Sequence, residues 1–175
     1  MGASEIAKDK DYAAFFMKRM GYPTAPGEAF FSADHCRSIG SRRNVDAAYQ
    51  YVRRIGFPVM VKPNSGSQGI GVTKVHTKRE LYRAMRFVFA RDRVALVQPQ
   101  LSGKDFRIVV LDDKVISAYE RIPLNVVGNG RQTIRQLLTN KQREFVSSGR
   151  DTIIRAEDKR IAQLLLIADI QGLAV

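Results

Sequence analysis

Lys62 stands where an apolar run, FPVMVK, gives way to a stretch crowded with glycine and serine, VKPNSGSQGIGV. An ammonium inside an apolar strand costs several kcal/mol unless a counter-charge meets it. Gly66, Gly69 and Gly71 leave backbone N–H groups free of side-chain obstruction, and Ser65 and Ser67 add hydroxyl donors, a set that can wrap phosphate oxygens. Turn chemistry alone would also account for the Gly, Ser and Asn, so it is Lys62 that tips the reading toward an anion. Two common phosphate loops do not fit. One needs Lys directly after its last Gly, and the other needs G-x-G-x-x-G opening a helix. Here the order is G-x-x-G-x-G, and VTKV beyond it reads as a strand.

The elements around the loop follow from periodicity. Tyr12, Phe16 and Met20, with Ala13 and Met17 beside them, predict a helix closed by Gly21. A short strand is expected in GEAFFS. Asn44 caps a helix with Val45, Ala48, Tyr49, Val52 and Ile55 on one face and Gly56 as its stop. The glycine loop then joins two strands, FPVMVK and GVTKVH, as a long hairpin. Thr77 and Glu80 form a capping box for a helix with Leu81, Ala84, Met85, Val88 and Phe89 inward, and VALVQ is the next strand. After PQLSGK the texture changes. Phe106, Ile108 and Val110 alternate, Asp112 and Asp113 mark a turn, and KVISAYERI returns as the partner strand. Thr133 caps a helix starting IRQLL, and Ile161, Leu164, Leu165 and Ala168 predict a last one. This change of texture places a boundary between lobes 1–101 and 102–175.

The chain has 175 residues, room for one full domain or two small lobes. Its 29 Lys and Arg against 17 Asp and Glu leave a net charge of +12, which raises the local concentration of anions without choosing among them. One cysteine, Cys36, excludes an internal disulfide and fits a reducing compartment, so the cytoplasm is expected. No apolar run approaches the roughly 18 residues of a membrane helix, and MGASEIAKDKD lacks the apolar centre of a signal peptide. Gly2 does not make a myristoylation site, because Ile6 stands where Ser or Thr is needed. His35 and His76 have no partners at metal-ligand spacing.

GFPVMVKPNSGSQGIGV, followed by VALVQPQLSGKDFRIVVLDDKVISAYERIPLNVVGNGRQTIRQLL, resembles the ATP-grasp superfamily, most closely the branch of cyanophycin synthetase and glutathione-synthetase-like carboxylate–amine ligases. The resemblance runs from about Ser4 to Leu138. It implies an α+β fold of two lobes gripping ATP. It also implies a reaction in which a carboxylate becomes an acyl phosphate and an amine displaces the phosphate, releasing ADP. Carried onto this sequence, it implies that Lys10 and Lys62 meet the ATP phosphates and that Ser65, Gly66, Ser67 and Gly69 close over them. Gln98, Gln100 and Leu101 would line the adenine, and Asp105 the ribose hydroxyls. Arg107 and Arg121 would be catalytic, facing phosphate and acyl group across the second-lobe hairpin.

Two departures follow. Gln98 stands where many relatives place an acid, although its side-chain oxygen still accepts from an adenine amino group. No E-x-N pair occurs among Asp151, Glu157, Asp158 and Asp169, so the Mg2+ ligands are expected outside this chain, which alone is expected to be inactive. The partners implied are ATP and small-molecule or peptide carboxylates and amines, with no membrane and an oligomeric state left open. The competing readings are a catalytically inactive fragment and a basic module for nucleic acid or another polyanion. Arg42–Arg43, Arg53–Arg54 and Lys159–Arg160 speak for the latter. Aromatic residues do not interleave with them as a stacking platform would.

Overall fold

The computed structural model describes residues 3–66, 69–154 and 161. They fall in two compact units, Met1–Gly103 and Lys104–Val175.

The first unit is built on an antiparallel sheet in the order β1-β4-β2-β3, from β1 (Glu28–Phe31), β2 (Val59–Pro63), β3 (Thr73–Val75) and β4 (Val94–Pro99). Register divides it into two faces. Val59 pairs with Val75, Val61 with Val97 and Phe30 with Ala95, so these six buried side chains share one face. Helix α4 (Val45–Ile55) lies against β1 and β4, and α5 (Lys78–Phe89) against β2, β3 and β4. Ala48, Tyr51 and Val52 of α4 and Leu81, Ala84, Met85 and Val88 of α5 complete the core. The alternate residues Ala29, Met60, Lys62, Leu96 and Gln98 belong to the other face, since Lys62 pairs with Leu96, Met60 with Gln98 and Ala29 with Leu96.

Local chemistry fixes both core helices. The Asn44 side chain accepts from the Asp46 and Ala47 amides, and Gly56 ends α4 at φ 83°. Tyr51 is buried on α4 while Ile55 is 39% exposed, so the inward face is turned from the expected one by about one position. Tyr49 packs at the edge of the core. Thr77 accepts from the Glu80 amide, but the Glu80 carboxylate accepts from His76 N at 2.7 Å. The expected box is thus displaced by one residue at its second bond. Tyr82 donates to Asp46 Oδ1 at 2.6 Å and joins the two helices.

Before the sheet, α1 (Ala3–Lys8) leads into α2 (Lys10–Arg19), which Asp9 caps and after which Gly21 adopts φ 83°. Helix α3 (Ala33–Ile39) was not expected from periodicity. It spans seven residues, buries only Cys36, and is set by Ser32 at its N-cap and left-handed Gly40 at its end. Gly27, at φ 154°, lies against β4. A Cβ there would stand 2.4 Å from Gln98 Cγ and 2.9 Å from the Val97 carbonyl oxygen. Gly27→Ala is therefore expected to cost about 1–3 kcal/mol, read as a lower unfolding midpoint. A variant that unfolds with the parent would rule out this close approach.

In the second unit, β5 (Phe106–Leu111) and β6 (Lys114–Glu120) form the expected hairpin. Asp112 and Asp113 sit at φ 46° and 62°, the two left-handed residues that a two-residue type I′ turn requires. The ladder shifts register between Val109 and Val110. The Asn129 side chain accepts from the Arg131 and Gln132 amides, shaping the glycine-rich turn before α6 (Ile134–Ser147). Thr133 and Gln136 make a complete capping box there. Of the predicted last helix, Ile161 is helical and Leu164, Leu165 and Ala168 lie outside the described residues. Among the described residues no helix is long and apolar enough to cross a membrane.

Candidate functional site

Lys62 rises from the centre of the sheet on the face that α4 and α5 leave uncovered, beside Leu96 and diagonal to Gln98. Burial lowers its pKa, and the nearby Lys10 ammonium lowers it further. Two cations from distant parts of the chain therefore share one neighbourhood, an arrangement that an anion would relieve.

Lys10 reaches this place because α2 is stitched to the start of the glycine loop. The Lys10 ammonium donates to the carbonyls of Asn64 and Gly66 at 2.9 Å, of Ser65 at 3.2 Å and of Pro63 at 3.4 Å. Burial pushes its pKa down, while Asp92 and Asp9 push it back up. Asn64 is the one buried polar residue of the described chain, at 6% exposure. Its amide donates to Val94 O at 3.0 Å, and its side-chain oxygen accepts from Asp11 N at 2.9 Å. Asn64 thus holds the loop root to β4 through its backbone and to α2 through its side chain.

Ser65 donates through its amide at 2.8 Å and its hydroxyl at 2.7 Å to Asp92 Oδ2. Gly66 and Gly69 take φ of 84° and 73° on either side of the loop centre, and Ser67 lies outside the described residues. Gly71, at φ 75°, packs on Pro63, where a Cβ would meet the ring at 3.2 Å. The far strand thus returns alongside the near one, as its antiparallel neighbour. Gln98 occupies the open face, and Gln100 and Leu101 follow β4 as exposed residues.

The second unit gathers a different set. Arg121 Nη2 donates to both carboxylate oxygens of Asp105, at 2.7 and 3.0 Å, and Arg121 N donates to Asp105 O at 2.6 Å. Arg107 stands opposite Tyr119, so Arg107 and Arg121 are diagonal neighbours on one hairpin face and do not face each other directly as expected. Asp105, assigned to ribose by the resemblance, is in this structure the counter-ion of Arg121.

Sequence reasoning missed Asp92 and Asn64. Asn64 carried a weak signal as a polar residue directly after a buried strand. Asp92, between Arg91 and Arg93, gave no local sign of its partner. Among the described residues no group of three or more His, Cys, Asp and Glu side chains could hold a metal ion.

Comparison with known proteins supplies the family. The family model described as the D-ala D-ala ligase C-terminus matches residues 16–129. The cyanophycin synthetase of Trichormus variabilis is 30% identical over 135 residues, covering 77% of this chain and 14% of that protein. The D-alanine–D-alanine ligase of Actinobacillus pleuropneumoniae serotype 5b is 31% identical over 121 residues, covering 69% of this chain and 37% of that protein. This chain therefore spans well under half of either relative. The D-alanine–D-alanine ligase of Bacillus anthracis complexed with ATP shares the fold with a TM-score of 0.54 at 24% identity, over 67% of this chain and 35% of that one. The D-alanyl-alanine synthetase A of Vibrio cholerae does so at 0.57 and 16% identity, over 84% of this chain and 48% of that one. With 114 of its residues matched, this chain belongs to the D-ala D-ala ligase C-terminal family and carries part of an ATP-grasp fold.

Proposed function

We propose that this chain is the ATP-binding part of a carboxylate–amine ligase, and the observation that carries the reading is the convergence of Lys10 and Lys62 at the root of the glycine loop. Bound ATP would supply a γ-phosphoryl group to a substrate carboxylate, and an amine would then displace phosphate from the resulting acyl phosphate. Lys62 meets the phosphates from the open sheet face, with the loop amides as further donors. Gln98 offers one amide oxygen and one amide nitrogen to the adenine edge, with the backbone at Gln100 and Leu101 beyond it. Asp105 retains carboxylate lone pairs for ribose hydroxyls while bound to Arg121, and that bond holds Arg121 in place. Arg107, on the same hairpin face, supplies positive charge for phosphate or acyl oxygen. Magnesium would accompany ATP and neutralise charge on its phosphates; among the described residues no group of three or more His, Cys, Asp and Glu side chains could hold it. The partners are ATP, a carboxylate and an amine, and the compartment is the cytoplasm, as the bacterial ligase relatives suggest.

Hydrogen exchange with and without Mg–ADP tests this. Phosphates and adenine touch opposite ends of one molecule, so amides of the glycine loop and of residues 97–101 are expected to slow together, by about tenfold or more. Protection confined to the basic stretches at Arg42–Arg43 and Arg53–Arg54, with loop and strand end unchanged, would replace this reading with polyanion binding.

A further inference from the structure

We infer that Asp92 is a positioning residue for the phosphate loop, fixing through Ser65 the point at which the loop leaves β2. The inference rests on the ATP-binding reading for its functional meaning. Its structural content stands on the contacts of one carboxylate.

Asp92 is itself held on both sides. Its amide donates to Val88 O at 2.8 Å, tying it to the end of α5. Its Oδ1 accepts from Val94 N at 3.0 Å, tying it to the start of β4. The second oxygen, Oδ2, takes both Ser65 donors. A carboxylate with both oxygens engaged and its backbone fixed has little freedom of its own, so it transmits the position of the α5–β4 junction to Ser65. Burial disfavours its charge, but the bonds from the Ser65 side chain and the Ser65, Val94 and Arg93 backbone outweigh this and hold its pKa below 3.8.

A consequence for Ser65 follows. Its hydroxyl hydrogen points to Asp92, so toward any phosphate it presents only lone pairs. The resemblance made Ser65 a phosphate donor, whereas the geometry makes it the link between the loop and its anchor. Asp92 also pushes the Lys10 pKa up against the larger effect of burial, which lowers it.

The test is amide exchange read residue by residue on the full chain without nucleotide, followed by Mg–ADP affinity, for Asp92→Ala, Asp92→Asn, Ser65→Ala and the double variant Asp92→Ala/Ser65→Ala. Asp92→Asn nearly keeps the shape but replaces one acceptor oxygen by a donor, so it cannot accept from both Ser65 and Val94. Asp92→Ala is expected to speed exchange at the Ser65 amide about tenfold or more, and Asp92→Asn at either the Ser65 or the Val94 amide, with Val61 and Val97 amides unchanged as evidence of an intact sheet. Mg–ADP binding is expected to weaken about tenfold in Asp92→Ala, and Ser65→Ala is expected to add nothing further to it, because the two act through one contact. Unchanged Ser65 exchange in Asp92→Ala, or two independent and multiplying losses of affinity, would overturn the inference. Failure of the unsubstituted chain to bind Mg–ADP would instead refute the ATP-binding reading, and the exchange data alone would still decide whether Asp92 anchors Ser65.

Discussion

Lys62→Ala is expected to weaken Mg–ATP or Mg–ADP binding by about 10- to 100-fold, the loss of one bond to a charged phosphate at about 1.5–3 kcal/mol. The fold is expected to survive, since Lys62 lies on the sheet face away from α4 and α5 and the core members beside it, Val61 and Val59, point the other way. A pH series sharpens the test. Burial and then the Lys10 charge depress the Lys62 pKa below 10.5, and phosphate binding needs the ammonium. Affinity should therefore begin to fall at a pH below 10.5 in the parent, and fall less steeply in Lys62→Ala. Stability of the free protein should move the other way. The unfolded chain keeps the lysine proton to higher pH than the folded one, so between the depressed pKa and 10.5 unfolding becomes harder as pH rises. Lys62→Ala should reduce that rise and leave the part due to Lys10, whose pKa burial also lowers. Nucleotide affinity equal to the parent's at neutral pH, where Lys62 carries its proton, would remove Lys62 from the site.

Phe30→Ala should have the largest effect on stability, about 3–5 kcal/mol for an aromatic truncated in a packed core. Phe30 is 1% exposed and its ring centroid lies 5.7 Å from that of Tyr51 on α4. The Arg43 guanidinium covers the same ring at 5.4 Å. Its strand, β1, is four residues long and pairs with β4 alone, so little else holds it. At roughly 4–8 °C per kcal/mol for a unit of this size, the unfolding midpoint should drop by more than about 10 °C. Phe31→Ala, on the alternate face and only half-buried, should cost clearly less. Equal midpoints for the two variants would show that the alternation of β1 has been assigned to the wrong face.

What the sequence disclosed was what local periodicity and capping encode. The strands at FPVMVK, VTKV and VALVQ, the helix started by Asn44, and the hairpin about Asp112 and Asp113 all occur where two- and 3.6-residue repeats place them. The short α3 escaped because a single buried residue makes no period. The inward face of α4 was misplaced because Tyr51, an amphipathic residue, could sit either way until Phe30 gave it a partner. The site was legible in kind, as lysine and glycine beside a strand, and not in wiring. That Ser65 would meet Asp92, or Arg121 meet Asp105, depends on contacts across many residues of chain. The resemblance named Ser65, Asp105 and Arg121 without their partners.

The loop root is gripped by α2 through Lys10 and Asp11, by β4 through Val94, and by the α5–β4 junction through Asp92. These contacts come from two separate stretches of chain, α2 and the α5–β4 junction, so the root is held from two sides. Residues 63–66 are thus held by several contacts at once, so their opening must break more than one bond. A nucleotide arriving at this surface meets a cradle whose rim was organised at the cost of folding, so little ordering entropy remains to be lost there when it binds.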